Sequence, residues 1–479
     1  MQYKYVVLTN TTIGAFMAVL DSNIVLIALP TIADDLHASP FEAVWIIMGY
    51  ILVNASLLLS FGRLSDIFGR VRLYNLGFAL FTIGSALCSV APNGISLVLF
   101  RLVQGSGGAL IFSNAAALLT DVFPPTERGR ALGFNQVAGT FGSVSGLALG
   151  GILAGSSLGW RSIFWINIPF GTFATVWAYF KLKEVSEPRR GEKLDPLGNL
   201  LFALGLSVCL VSLMLGALEG WSPEYLGGMT IGVALVAAFA VVERKVKFPM
   251  MDLSLFRIRA FASGMASNLL ASVARGGVSL VLVFYFQGVL LLGAFSAGLM
   301  LIPFSVAFVT VGPLSGYLSD RFGSRGFATA GLLTTSFALF WFGLLPFGSY
   351  SQLVIPMIIA GIGGGMFVAP NVASIMNATP PPRRGVASGM SSTLVNAGFL
   401  LSLGIAFAVM ASSVPTQVLQ QIFSGSSVAI STLVLNNFVG SLHGLFVLLG
   451  FVSLFAAVPA YMAKKPKIVY EAVGTHEAD

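Results

Sequence analysis

Fourteen runs of apolar residues divide this chain, at 6–29, 42–61, 72–91, 95–118, 131–154, 162–182, 196–216, 226–243, 261–286, 296–318, 326–346, 351–375, 385–411 and 441–463. Each is about as long as the roughly 20-residue helix that crosses a hydrocarbon core. In lipid every backbone polar group must be satisfied inside its own segment, so runs of this length read as helices. Charge is correspondingly scarce: 9% of the residues are charged, against about 25% in a soluble domain. That excludes an ordinary soluble enzyme, a disordered chain and a disulfide-stapled secreted domain. The expected fold class is an all-α polytopic membrane protein. The first run is of span length and carries Asp21, which reads as a span and not as a cleavable signal peptide.

The basic residues test the count independently. With the loops numbered alternately, 23 of the 26 Lys and Arg fall on one side, leaving Arg161 on the other and Arg101 and Arg275 within spans. Such an excess marks the cytoplasmic side. Both termini are therefore expected in the cytoplasm, and the protein in the cell membrane. The net charge of +7 sits in short clusters between spans, so it orients helices and is no nucleic-acid footprint. Cys88 and Cys209 lie inside apolar runs, and His37, His443 and His476 are scattered. This offers neither a disulfide framework nor a metal site. No phosphate-cradling Gly-x-x-x-x-Gly-Lys-Ser/Thr loop is present, which argues against an ATP-driven pump.

The chain also repeats itself. Gly62-Arg-Leu-Ser-Asp-Ile-Phe-Gly69 returns as Gly316-Tyr-Leu-Ser-Asp-Arg-Phe-Gly323, and Gly105-Ser-Gly-Gly108 as Gly361-Ile-Gly-Gly364. Pro124-Pro125, Arg128-Gly129, Ala131 and Gly133 return as Pro380-Pro381, Arg384-Gly385, Ala387 and Gly389. The offset stays near eight spans, which predicts two six-helix bundles in the same orientation with two extra central helices between them. The expected divisions are a first bundle at 1–183, basic linkers with the extra pair at 184–259, a second bundle at 260–465, and a tail at 466–479.

Several stretches are similar to one family. They are Leu20-Asp-Ser-Asn-Ile-Val-Leu-Ile-Ala-Leu-Pro30, Gly62–Arg70, Arg101-Leu-Val-Gln-Gly105, Gly159-Trp-Arg-Ser-Ile-Phe-Trp-Ile-Asn-Ile-Pro169 and Asp252-Leu-Ser-Leu-Phe-Arg257. Jointly and in this order they resemble the major facilitator superfamily, specifically its fourteen-span drug/proton antiporters, over essentially the whole length. The resemblance implies a secondary transporter that works by alternating access. It would export a small amphipathic compound in exchange for protons, with no cofactor beyond the proton gradient, and a monomer is expected.

Asp21 is the only carboxylate well inside a span. A charge there costs about 2.5–3.5 kcal/mol even on a lenient scale, and calls for a partner or a functional reason. Arg101 stands at a comparable depth in the fourth span, so the two can reach each other or a shared cavity. The resemblance implies that Asp21 carries the proton and Arg101 tunes it; a permanent ion pair tying two spans is the structural alternative. Gln104 lies on the face of Arg101 and either lines the cavity or bonds a neighbouring helix. Arg275, mid-span with no carboxylate in its own half, either faces the cavity or bonds backbone carbonyls. Gly62–Arg70 is expected as a cytoplasmic loop joining the second and third spans, and by resemblance its Gly62, Asp66, Gly69 and Arg70, with Asp320 in the repeat, form a conformational gate. Gly142, Gly146, Gly150 and Gly151 place small residues on one helix face for close packing, with Leu147 where antiporters of the superfamily usually have proline. Two readings compete with antiport. One is a gradient-driven carrier of organic anions or lipids using Arg101 and Arg275, and the other a sensor that keeps the fold without transporting. An intramembrane enzyme would need a nucleophile with its base, or a metal set, inside the spans, and none is found. The segment 412–440 is expected outside the membrane, either on the surface or over the cavity mouth.

Overall fold

The computed structural model describes residues 2–124, 127–185, 195–246, 249, 251–345, 349–380, 383–424 and 432–463. Fourteen helices are long and apolar enough to cross a membrane. They are α1 Tyr3–Asp35, α2 Pro40–Phe68, α3 Arg70–Ser89, α4 Gly94–Val122, α5 Arg128–Ala154, α6 Ser162–Lys181 and α7 Pro196–Glu219. The series continues with α8 Pro223–Glu243, α9 Arg259–Val289, α10 Ala294–Met300 resumed as Ile302–Phe322, and α11 Ser324–Leu344. It ends with α12 Tyr350–Ala378, α13 Arg384–Ser413 and α14 Thr432–Met462. Each expected run falls on one of these helices, with 72–91, 162–182, 326–346 and 441–463 reaching past the helix end, and no strand occurs among the described residues.

Local chemistry sets the ends. Ser39 and Glu42 form a reciprocal capping box before α2, with Pro40 at the first helical position, which satisfies amides that a helix start leaves open. The Asn93 side chain accepts from Ser96 N at 2.9 Å to start α4. The turn between α9 and α10 carries no charge. A π-helical turn, Tyr285–Val289, ends α9, and Leu291 takes a positive φ of 52° before Gly293.

The repeat governs the packing. Within the first bundle α1 lies along α5, and α4 packs on α2 and α3; in the second, α9 lies along α13, and α12 packs on α10 and α11. The equivalence reaches single residues. A Cβ on Gly105 would stand 2.9 Å from Tyr50 O, and one on Gly361 would collide with Phe304 O. Glycine is needed at both because backbone meets backbone there. The bundles join along two seams that the repeat interchanges, α2 with α13 and α5 with α10. The extra pair breaks this symmetry. α7 lies against both α13 and α2, while α8 packs mainly on α7 and leaves most of its surface outward.

One expectation needs correction. The stretch Gly62–Arg70 is not a loop: α2 continues to Phe68, α3 begins at Arg70, and Gly69 alone makes the turn at φ 105°. The equivalent Gly323 does the same at φ 95°, a region that only glycine enters without strain. The segment 412–440, expected on the surface or over the cavity mouth, packs across both bundles in its described part. It contains a short helix, Thr416–Ser424, and α14 already begins at Thr432. Leu419, Ile422 and Phe423 of the short helix are buried, and Phe423 stacks on Phe284 of α9 with ring centroids 3.9 Å apart. The helix also contacts α1 and α2, so it bridges both bundles at the face away from the chain ends. Gln287 makes a second link there, donating to Ile27 O at 2.9 Å.

Candidate functional site

Inside the first bundle, five helices close around one carboxylate and its partners. Asp21 of α1 is fully buried, as are Arg101 and Gln104 of α4. Arg101 Nη1 donates to Asp21 Oδ2 at 2.5 Å, and Gln104 Nε2 to Asp21 Oδ1 at 2.8 Å. Asn167 of α6 donates to the same Oδ1 at 2.7 Å. Every partner of the carboxylate is a donor, and one is a cation. Arg101 does not depend on Asp21 alone. Nη1 also donates to Gln104 Oε1 at 2.5 Å, Nε donates to Ile46 O at 3.1 Å, and the guanidinium lies 4.3 Å from the Tyr50 ring centre. Gln104 completes the network through Ser85 Oγ of α3 at 2.7 Å. Satisfied networks of this kind hold a charge in low dielectric that would be prohibitive alone.

The glycines of α5 bring a sixth helix against this cluster. Cβ atoms at Gly142, Gly146 and Gly150 would stand 2.6, 2.6 and 2.8 Å from the carbonyls of Phe16, Leu20 and Ile24. The stripe therefore follows α1 turn by turn, on both sides of Asp21. Gly151 belongs to a different contact, facing Phe295 of α10 across the seam. Leu147 is buried in an unbroken helix, and its carbonyl would lie 2.5 Å from a Cβ on Gly298 of α10.

Arg275 lies in the other bundle. Its guanidinium sits 5.4 Å from the Phe308 ring centre and 5.9 Å from that of Phe399. Its Nε is enclosed without a hydrogen-bond partner, while the side chain keeps some accessible surface. Among the described residues it forms no ion pair. Asp21, Arg101 and Gln104 are thus gathered into one cluster, and Arg275 is separate from it.

Asp66 and Arg70 meet near the chain-end face, where Arg70 Nε donates to Asp66 Oδ1 at 2.8 Å. Arg70 Nη1 reaches Asp121 of α4 at 2.7 Å, and Glu184 beyond α6 accepts from the backbone N–H of Arg70 at 2.8 Å. A Cβ on Gly69 would press on Glu184 Oε2 at 2.9 Å, whereas Gly62 has only Ser113 within 4 Å. These contacts all stay within the first bundle. The side chain of Asp320 is outside the described residues.

Asn167, Ser85 and Tyr50 were not singled out from the sequence. Asn167 had a signal, as a polar residue in a span and inside the quoted stretch Gly159–Pro169. Of the aromatic residues in the spans, Trp45, Tyr285 and Phe286 are buried, and Phe112 is 36% exposed.

Residues 11–244 and 264–474 match the family model of the Major Facilitator Superfamily. The chain belongs to this superfamily. It is 33% identical over 413 residues to the riboflavin transporter RibZ of Clostridioides difficile, covering 85% of this chain and 88% of that one. It is 32% identical to the multidrug resistance protein Stp of Mycobacterium tuberculosis, covering 84% and 75%. To the tetracenomycin C resistance and export protein of Streptomyces glaucescens it is 30% identical, covering 85% and 76%. The fold matches that of a D-xylose-proton symporter with a TM-score of 0.66 at 17% identity, over 97% of this chain and 98% of that one. A bacterial homologue of the human lysosomal transporter Spinster, in an inward-facing and unoccupied conformation, gives 0.65 at 18%, over 97% of both chains. The protein is a multi-pass membrane transporter of the alternating-access type and not an enzyme.

Proposed function

We propose that the protein is a proton-coupled antiporter of the fourteen-span drug/proton group, exporting small amphipathic compounds, with Asp21 as the proton carrier. The observation that carries this reading is the donor shell around Asp21. Protonation of Asp21 removes the charge that ties α1 to α4, and Arg101 then retains Gln104 Oε1, Ile46 O and the Tyr50 ring. A cation with partners in reserve lets the carboxylate change state without stranding a buried charge. α1 also bridges to the second bundle through Ile27 O and Gln287, which supplies a path from the protonation site to the interface between bundles. A proton shifts a conformational equilibrium only by favouring one state over another, and the α1–α4 tie is the contact it would change. Two relatives named for drug resistance or export favour the outward direction. The face bearing the chain ends is taken as cytoplasmic on the strength of its basic residues, the membrane as the cell membrane, and the working unit as a monomer.

In this reading Gly62, Asp66, Gly69 and Arg70, with Asp320 in the repeat, form the gate on the cytoplasmic side. Substrate binds between the bundles near Asp21, Arg101, Gln104 and Arg275. The second reading, a carrier of organic anions or lipids, is favoured by Arg275 alone: a partly exposed arginine without a carboxylate partner is suited to an anionic group. Substrate addition to the purified protein in weak buffer separates the two. Antiport through Asp21 releases protons into solution on binding, and Asp21→Asn abolishes the release. An anion bound at Arg275 without proton release from the parent protein would favour the second reading.

A further inference from the structure

At the chain-end face, the base of the extra helix pair holds two buried carboxylates. Asp195 precedes α7 and Glu243 ends α8, and they are 6% and 2% exposed. One oxygen of each has a structural task. Asp195 Oδ1 accepts from Gly198 N at 2.9 Å, capping α7, and Glu243 Oε2 accepts from Met251 N at 2.8 Å, holding the linker that leads to α9. The other oxygens, Asp195 Oδ2 and Glu243 Oε1, are enclosed and have no hydrogen-bond partner. They face the same small space, because a Cβ on Gly198 would touch both. Two enclosed, unpartnered carboxylate oxygens side by side are strongly unfavourable if both groups are charged.

Charged neighbours do not resolve this. Arg63 of α2 acts on Glu243 from a distance, and its Nη2 donates to the carbonyl of Pro249 in the same linker. Arg244 and Lys245, beyond the end of α8, are exposed. Asp252 of the linker is paired with Arg383 of the loop before α13 at 2.9 Å. Lys193 and Lys247 lie outside the described residues. Two carboxylates also fall short of the six to eight oxygens a calcium site collects, and the described residues hold no group of three or more metal-type ligands.

We propose that Asp195 and Glu243 bind one proton between them, and that this proton clamps the base of the extra helix pair onto the linker gripped by Arg63. One carboxyl donates its O–H to the other's carboxylate, so the pair carries a single negative charge facing Arg63. Loss of the proton sets two negative charges against each other beneath α7 and α8. It loosens the Met251 contact, and with it the attachment of the linker to α2. Because α2 ends in the Asp66–Arg70 pair, the clamp makes the seating of the extra helices on the first bundle dependent on pH. The site is independent of Asp21 and of any substrate.

The test uses the full-length protein in lipid nanodiscs. Infrared difference spectra between parent and Glu243→Gln should show a protonated-carboxyl band in the parent at about pH 7 that the variant lacks; Asp21 is present in both and cancels. Thermal unfolding gives a second readout. The folded parent holds a proton that the unfolded chain has released at neutral pH, so its stability falls as pH rises. The parent's midpoint should drop by several degrees between about pH 6 and about pH 9. In Glu243→Gln the amide still accepts from Met251 N and donates to Asp195 Oδ2, and that part of the pH dependence should vanish. Asp195→Asn keeps the cap on Gly198 and should behave alike, so it serves if the first variant does not fold. Identical spectra, or equal pH slopes in parent and variants, would overturn the proposal. A midpoint raised by sodium, potassium or calcium in the parent alone would also overturn it, by assigning the site to a metal cation.

Discussion

Asp21 and Arg101 form a buried pair whose meaning depends on what happens when one charge is removed. In a purely structural ion pair, neutralising one partner strands the other, at a cost of about 3–5 kcal/mol. A proton carrier must tolerate its neutral form, because it passes through that form on every cycle. Asp21→Asn is therefore expected to reach the membrane in normal amounts and to keep a thermal midpoint within a few degrees of the parent. Collapse of expression or of the midpoint would instead mark the pair as structural. Arg275 allows a test that does not involve the proton. Its charge is not balanced by a carboxylate among the described residues, and the Asp21–Arg101 pair is neutral as a unit, so in the proposed reading, with Arg275 at the substrate path, that path carries an excess positive charge. Repulsion of cations there is stronger than in water because the effective dielectric is low. The protein should move neutral, monocationic or anionic amphipathic compounds and handle dications poorly. Arg275→Gln should raise transport of a dication relative to a neutral analogue, as read by paired flux measurements, and an unchanged ratio would remove Arg275 from the pathway.

Helices in this fold meet through glycine, and the contact differs sharply along one helix. Gly146→Ala would place a Cβ 2.6 Å from Leu20 O, beside Asp21, while Gly133 has nothing within 4 Å. Overpacking against backbone costs about 1–3 kcal/mol, whereas replacing an uncrowded helical glycine by alanine gains roughly 0.5–1 kcal/mol. Thermal midpoints should therefore move in opposite directions for the two variants, and a shared direction would refute the α1–α5 packing. The short helix Thr416–Ser424 makes a second element-scale claim. Phe423→Ala removes the stack on Phe284 and the edge contact with Phe407, a core truncation of about 3–5 kcal/mol at a place that joins both bundles. Cysteines introduced on that face should become more accessible to membrane-impermeant thiol reagents; unchanged labelling would make the helix a passive cover. The spans were legible because hydrocarbon thickness imposes their length and lipid permits few charges. The short helix was not, since nine residues fall below any span and its apolar side has meaning only against the helices it covers. The end of α1 was misplaced for a related reason. Expected near 29, it lies at Asp35, and a polar stretch that continues a helix beyond the hydrocarbon leaves no mark in hydropathy. Asn167 and Ser85 were missed because a polar residue in a span looks the same whether it faces a neighbouring helix, lipid headgroups or a buried carboxylate.

The molecule as a whole is two copies of one six-helix plan with different chemistry. Backbone contacts repeat between the halves, as at Gly105 with Tyr50 and Gly361 with Phe304. The buried carboxylate does not repeat: the first bundle holds Asp21 with its donors, and the second holds Arg275 with two phenylalanine rings. In a rocking mechanism the symmetric part supplies two similar end states, and the asymmetric part decides which ion drives the change. The extra pair adds a further asymmetry by covering only the α2–α13 seam. The architecture follows from periodicity and from the repeat, both written along the chain. Which charged residues share a cluster does not, because Arg101 and Arg275 both read as charges within spans and only the packing separates them. The central claim is that a proton on Asp21 drives export, and an imposed pH gradient tests it most directly. In proteoliposomes containing the parent, an amphipathic monocation or neutral compound should accumulate against its own gradient as protons move the other way. Asp21→Asn should allow exchange of the compound down its gradient and no accumulation; accumulation by Asp21→Asn equal to that of the parent would contradict the account.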